Sequence, residues 1–406
     1  MTIVKPFKSL RPAKELASQI AALPYDVYNR SEAKEVVANN PLSFLQIDRG
    51  ETLLDDSVST YDDIVYETAA NKLKEMIGKG EFTYDDEEAY YIYELERLGQ
   101  IQRGIVGCVL AKEYDAGIIK KHENTREVKE NDRINHIQKL RAHTGPIFLT
   151  YKNSESIQKV VNSVIENSEV IFEFTGEDEV RHKGYMVSKA RDIIALRDIT
   201  EAMEALYIAD GHHRAASAAK VARINNYEGE TGEFLAVMFP DDELHILDYN
   251  RVVTDLNNLS VESFLEAVSQ YFDVTKMGGE PFSPVNKASY GMYIDETWYK
   301  LEFKDLSLIS EDPVATLDVT ILQDYILHPI LGIEDSRNSD RIDFVGGIRG
   351  LVELEKRVAG DMVVAFSMKA TSISELINVS DAGLLMPPKS TWFEPKLRSG
   401  LFIHTF

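Results

Sequence analysis

The stretch Asp210-Gly211-His212-His213-Arg214 gathers four side chains able to bond a ligand or exchange protons around a single glycine. It lies between LYIA at 206–209, an apolar run that reads as a buried strand, and AASAAKVARI at 215–224, which reads as an alanine-rich helix. Strand, glycine turn and helix start together make an anion site. Gly211 can take a backbone shape that allows close approach to a ligand, the first helical amides point outward unpaired, and Arg214 offers a bidentate fork for phosphate oxygens. Asp210 would hold a metal ion or orient a donor. Alanines at 215, 216, 218 and 219 let the helix lie close to the sheet, so that the loop is carried rigidly, which suits phosphate positioning. For the His pair alone, a polar surface turn is an equal reading; the acid, glycine and arginine beside it favour ligand binding. Zinc is the weaker alternative, because neighbouring histidines rarely point at one metal and the chain has no HExxH helix.

A second cluster runs from Lys120 through His122, Glu123, Asn124 and Thr125 to Arg126, and a polar run continues to Asp132-Arg133. It follows the strand-like Ile118-Ile119 and precedes a helix. Glu123 could take the proton of a substrate hydroxyl, and Arg126 or Arg133 could hold a carboxylate or phosphate. A solvated charge run at a helix start explains the same residues. The third cluster, Met386 to Lys396 (MPPKSTWFEPK), has prolines that fix a loop bearing two lysines, two hydroxyls and two aromatics. Lys389, Ser390 and Thr391 resemble the end of a P-loop, but the GxxxxGK[ST] glycine cradle is missing. A carboxylate or phosphate contact and a structural closing loop both remain open for them. Pro24-Tyr25-Asp26-Val27 and the segment from Asp335-Ser336-Arg337 to Gly346-Gly347 are weaker candidates for pocket walls.

The elements that must position these groups alternate. Residues 31–39 read as a short helix with Ser31 as N-cap, and 57–78 as a longer amphipathic helix. AYYIYELE from Ala89, a Leu98-Gly99 turn and RGIVGCVLA form a hairpin signature. Helical spacing at 129–143 stops at Gly145-Pro146 before the strand IFLTY; helix 155–166, strands 170–174 and 185–187, and helix 199–205 follow. FLAVMF, a Pro240-Asp241-Asp242 turn and LHILDYNRVV suggest another hairpin, and YGMYI with WYKLEF around Asp295-Glu296 a third. This is a mixed α/β (α+β) pattern. A boundary near residue 250 divides it into a nucleotide-binding and catalytic region, 1–250, and a C-terminal α+β region, 251–406, that contributes the MPPKSTWFEPK loop.

A chain of 406 residues, 44% hydrophobic, is long enough for two or three packed units. Its formal net charge of -23, from 44 basic and 67 acidic side chains, repels polyanions and argues against nucleic acid as a partner. The same field opposes small phosphates, so a nucleotide site must be assembled locally from helix N-termini, a few Lys or Arg, and a divalent cation. Cys108, the single cysteine, rules out an internal disulfide framework and a cysteine zinc cluster, and its apolar neighbours make it a buried strand residue. No apolar run approaches the ~18 residues of a membrane span, so the expectation is a cytoplasmic protein without a membrane partner.

PYDV at 24–27, HENT at 122–125, NDR at 131–133, GPIFLTY at 145–151, ADGHHRAA at 209–216 and MPPKSTWFEPKLRSGLFIHTF at the end carry a resemblance over almost the whole chain. The sequence resembles a large bacterial and archaeal family of unknown function, related to the ParB/sulfiredoxin-like superfamily and to free-serine kinases. The resemblance implies a ParB/sulfiredoxin-like nucleotide-binding core. It also implies that Gly211, His212, His213 and Arg214 hold nucleotide phosphates and that an upstream acid serves as base for a serine hydroxyl. Glu123 is the counterpart chosen, with Asp26 and Asp132 as competitors. Sulfiredoxins carry a cysteine before a His-Arg pair, where this chain has His212. The implied activity is transfer of a phosphoryl group from ATP, or less readily ADP, to free L-serine, with Mg2+ held in part by Asp210. A ParB-like nucleotide switch without kinase activity is the alternative. ParB-type proteins carry an EN-containing motif after the phosphate loop, whereas Glu123-Asn124 precedes Asp210–Arg214 here, and no helix-turn-helix is evident. Homo-oligomerisation is left open.

Overall fold

The computed structural model describes residues 2–406 and has a mixed α/β fold that divides into two compact units, Met1–Leu244 with Pro395–Phe406, and His245–Glu394. The division thus falls after Leu244 instead of near residue 250, and the last segment of the chain belongs to the first unit.

The first unit is built on a nine-stranded sheet. Its strands are β1 (Val4–Lys5), β2 (Tyr90–Arg97), β3 (Gln100–Leu110), β4 (Ile119–Lys120), β5 (Ile147–Tyr151), β6 (Glu169–Thr175), β7 (Arg181–Val187), β8 (Leu206–Asp210) and β9 (Glu233–Pro240). They run in the order β4-β8-β5-β9-β3-β2-β7-β6, with β1 on β3. Two pairs are parallel, β8 with β4 and β9 with β5, and the others are antiparallel. Central strand β9 is buried at every position and reads as the near-continuous apolar run expected of a strand covered on both faces. Cys108, on β3, is fully buried, which pushes its thiol well above the usual range.

Helices α1 (Arg30–Asn39), α2 (Asp63–Gly78), α3 (Glu127–Leu140), α4 (Glu155–Glu166), α5 (Ala190–Glu201) and α6 (His212–Ile224) accompany this sheet. Several starts differ from the sequence reading, for local reasons. Helix α1 is capped by Asn29, which forms a reciprocal capping box with Glu32, and not by Ser31. Helix α2 begins only after Asp62, whose side chain accepts from the Ile64 amide. Helix α3 ends at Leu140 because Arg141 turns left-handed (φ 55°), and Ala142–His143 then pair with His404–Thr405. Helix α5 covers 190–201, where a helix was expected only at 199–205.

The hairpin expected between FLAVMF and LHILDYNRVV does not form. Both edges of β9 are already taken, by β3 and β5, and the residues after Leu244 enter the second unit. There His245–Leu247 pair with Trp392–Glu394, and Tyr249–Val253 lie in a six-stranded sheet between Ile342–Gly346 and Val364–Ser367. The hairpin of Ser289–Ile294 and Thr297–Phe303 is present, with Asp295 and Glu296 both at positive φ (46° and 54°), as a tight primed turn requires. Among the described residues no helix is long and apolar enough to cross a membrane.

Candidate active site

Strand β8 delivers Asp210 to the site. The register against β5 slips between Ile208 and Asp210, a local irregularity of the kind that re-aims a side chain at a strand end. Gly211 follows at φ 95° and ψ 31°, left-handed backbone that costs a residue with a Cβ about 1–2 kcal/mol. An added Cβ would also meet the Arg214 guanidinium at 3.0–3.2 Å. Helix α6 starts directly after it, so His212, His213 and Arg214 form its first turn instead of a loop ahead of it. The N-cap supplies no side-chain hydrogen bond, so the leading amides keep their outward donors and the positive end of the helix dipole. Buried alanines 215, 216, 218, 219 and 222 hold α6 close to its neighbours.

Asp210 is engaged on both oxygens. Its Oδ1 accepts from the Gly211 amide at 2.8 Å, and its Oδ2 accepts from Lys396 Nζ at 3.0 Å. Burial pushes this carboxyl up, but the charges of Lys396 and Arg214 and the Lys396 hydrogen bond outweigh it and hold the carboxyl well below the usual range. Arg214 donates through Nη1 to the Pro146 carbonyl at 2.6 Å, which anchors one arm of the fork.

The second cluster reaches the same place. The His122 amide donates to His212 Nε2 at 3.4 Å, and the two imidazoles meet edge to face with centroids 4.4 Å apart. With Nε2 accepting, the His212 proton sits on Nδ1, 3.8 Å from Glu123 Oε2. Burial, then the neighbouring His122, push His212 well below its ordinary value, and burial brings His122 down to about 4, so both rings are neutral near pH 7. The Arg126 amide donates to His213 Nε2 at 3.0 Å, while the Arg126 side chain is exposed. Ser217 Oγ bridges α6 to α3 by donating to the Glu130 carbonyl at 3.1 Å.

Of the other sequence candidates, Arg133 shares a small cavity with Arg214, and Asp26 stands near enough to His213 for its charge to oppose the downward push of burial on that imidazole. Arg133 is buried, paired with Asp132 at 2.9 Å and stacked on Tyr25 with its Cζ 4.1 Å from the ring centroid. Asp132 also accepts from Tyr66 at 3.0 Å, and Asp26 is exposed. Tyr25, Asp48, Arg133, His136, Thr144 and Arg214 border a cavity of about 30 Å3, room for about one water molecule. Lys389, Ser390 and Thr391 belong to the second unit, where the Lys389 carbonyl accepts from Arg251 and Ser390 Oγ donates to the Pro387 carbonyl at 2.7 Å. The lysine of that same stretch that meets Asp210 is Lys396, which the sequence reading included in its third cluster but did not single out. Its signal was available as the second lysine of MPPKSTWFEPK.

Among the described residues no group of three or more His, Cys, Asp or Glu side chains could hold a metal ion. The donor set therefore does not make an all-protein cage. A magnesium ion carried by phosphates asks for only one or two carboxylates, and Asp210 is the carboxylate at the β8–α6 junction that could supply one.

Residues 4–320 match the family described as protein of unknown function (DUF1015), and the chain belongs to that family. Among solved structures, it is similar to a free serine kinase in complex with AMP, at 11% identity and a TM-score of 0.37 over 73% of this chain and 91% of that one. A conserved hypothetical protein from Pyrococcus furiosus is similar at 14% identity and a TM-score of 0.34, over 73% of this chain and 94% of that one. SbnI with a C-terminal truncation from Staphylococcus aureus is similar at 11% identity and a TM-score of 0.38, over 73% and 86%. Among curated proteins none matches the chain.

Proposed function

We propose that this protein is a phosphotransferase that moves the terminal phosphoryl group of ATP, or less readily ADP, to the hydroxyl of free L-serine. The observation that carries the reading is the junction of β8 and α6, where a left-handed glycine hands an ionised aspartate to a helix start with uncapped amides and an arginine in its first turn. That arrangement binds oxyanions through fixed donors without reorganisation.

In this reading the amides of His212, His213 and Arg214 and the Arg214 guanidinium cradle the phosphates. Lys396 keeps Asp210 ionised and oriented. Magnesium, when bound with the nucleotide, would neutralise developing charge between the phosphates. The serine oxygen attacks the terminal phosphorus, the bond from that phosphorus to the bridging oxygen breaks, and the shortened nucleotide departs. Glu123 takes the hydroxyl proton, because it stands beside His212 whereas Asp132 is tied up by Tyr66 and Arg133. Most of the acceleration comes from positioning and charge neutralisation.

Phosphorus NMR of the purified protein with magnesium, L-serine and ATP or ADP tests this, with Asp210→Asn alongside to expose contaminating kinases. An O-phosphoserine resonance that appears only with the unsubstituted protein is the expected result. Nucleotide that binds but stays unchanged would sink the kinase reading in favour of a nucleotide switch.

A further inference from the structure

The second unit contains a cavity of about 250 Å3 that the reaction above does not use. Arg251 forms part of its wall and is only 3% exposed. Its guanidinium donates to the backbone carbonyls of Tyr249 and Lys389 and lies 5.4 Å from the Phe344 ring centroid. Among the described residues no carboxylate pairs with it, and burial has pulled the guanidinium down to about 10. A buried cation without a counter-ion is costly unless a ligand supplies one.

Three further features converge on this cavity. Thr320 lines it, and its buried hydroxyl has no hydrogen-bond partner. Gln323–Leu327 form a π-helical turn, a rare geometry that gathers at functional sites, and Gln323, Asp324 and Leu327 face the cavity. The segments Asp335-Ser336-Arg337 and Pro387-Pro388, both notable in the sequence, meet there. Asp324, Glu334 and Asp335 bring carboxylates and Arg337 a second guanidinium to the same walls, so a polyanion is disfavoured and a ligand that carries both an anionic and a cationic group is matched. The volume lies just below that of sites for drug-sized ligands, about 300–1,000 Å3, and suits a small metabolite.

We propose that this cavity binds a free α-amino acid, with its carboxylate on Arg251, its ammonium group toward Asp324 and Glu334, and a hydrogen bond from Thr320. The cavity is lined by residues of the second unit, and the proposal does not depend on the kinase reading.

Calorimetric titration of the full chain without nucleotide, against each of the common L-amino acids, tests it. At least one should bind. Its decarboxylated amine and its N-acetyl derivative should each bind about 10-fold or more weakly. Arg251→Met and Thr320→Val should weaken binding about 10- to 100-fold and about 10-fold, while Asp210→Asn in the first unit should leave it unchanged. If Arg251→Met does not fold, Thr320→Val and Asp324→Asn carry the test. The proposal is overturned if no amino acid binds, if the folded variants bind as the original does, or if binding is lost in Asp210→Asn.

Discussion

Lys396 Nζ lies 3.0 Å from Asp210 Oδ2 across a separation of 186 residues, so the C-terminal segment supplies one of the cations that keep Asp210 ionised. Neighbouring contacts fix that segment in place. Arg398 pairs with Asp178 at 2.7 Å, and Ser399 exchanges backbone hydrogen bonds with Ala22. Lys396 is thus a positioning residue held by its own chain.

Replacing Lys396 with methionine removes one of the charges that hold the Asp210 carboxyl down, so that carboxyl must move up. Activity that needs ionised Asp210 is then lost at a higher pH on the acid side than in the parent protein. Turnover near neutrality should fall about 10- to 100-fold, the worth of a charge-assisted hydrogen bond, and Lys396→Arg should restore much of it. The pH–rate profile reads this directly. An acid limb unmoved in Lys396→Met would remove Lys396 from the site.

Gly211→Ala forces a Cβ into left-handed backbone at φ 95° and within 3.0 Å of Arg214 Nε. Stability should drop by about 1–2 kcal/mol from the backbone alone. Displacement of the guanidinium should weaken nucleotide binding as well. Urea denaturation and nucleotide titration on the same preparation check both effects. Full stability together with parental nucleotide affinity would show that the turn is not under this constraint.

The strand–glycine–helix turn at Asp210–Arg214 was legible because its determinants are consecutive: apolar strand, Asp, Gly, then helix. Even there the helix start was read three residues late, since His212, His213 and Arg214 look like loop until Gly211 is known to end the strand and open the helix. The meeting of His122 and Glu123 with His212 did not follow from chain order alone, because it depends on β4 lying beside β8 in parallel, which is a property of the whole sheet. Lys396 was in view as the second lysine of MPPKSTWFEPK, but its pairing with Asp210 was not legible. An ion pair between distant residues leaves no periodic trace, and Lys389, closer to the proline pair, drew the attention instead. The false hairpin after FLAVMF has a similar cause: alternation and a Pro-Asp-Asp turn are local, whereas the occupied edges of β9 are a property of the whole sheet.

Acid should destabilise this protein early. Burial pulls His122 and His136 down to about 4 and His143 to about 3 in the folded chain, whereas an unfolded histidine takes up its proton near 6.5. The unfolded state therefore binds more protons between these values, and stability rises with pH across that window. The contribution is complete above pH 6.5 and is lost as pH falls toward 4, at up to about 3 kcal/mol per ring. Urea midpoints at pH 7.5, 6 and 5 should fall in that order, and His136→Asn, in a folded variant, should flatten the slope. A midpoint constant down to pH 5 would contradict the buried neutral rings.

Glu123→Gln separates the roles of the two clusters. Glutamine keeps the size of the side chain and its reach to His212 Nδ1, 3.8 Å away in the parent, but it cannot accept a proton from the substrate hydroxyl. Loss of a general base costs about 10²- to 10⁴-fold in turnover. Nucleotide binding should be nearly unchanged, because the donors proposed for the phosphates belong to α6 and Lys396 holds Asp210 independently of Glu123. Single-turnover kinetics with L-serine, beside a nucleotide titration, distinguish the two effects. If turnover survives in Glu123→Gln, the base must be sought at Asp26, since Asp132 has one oxygen on Tyr66 and the other on Arg133. If nucleotide affinity collapses together with turnover, Glu123 acts on the phosphates or their metal and not on the hydroxyl.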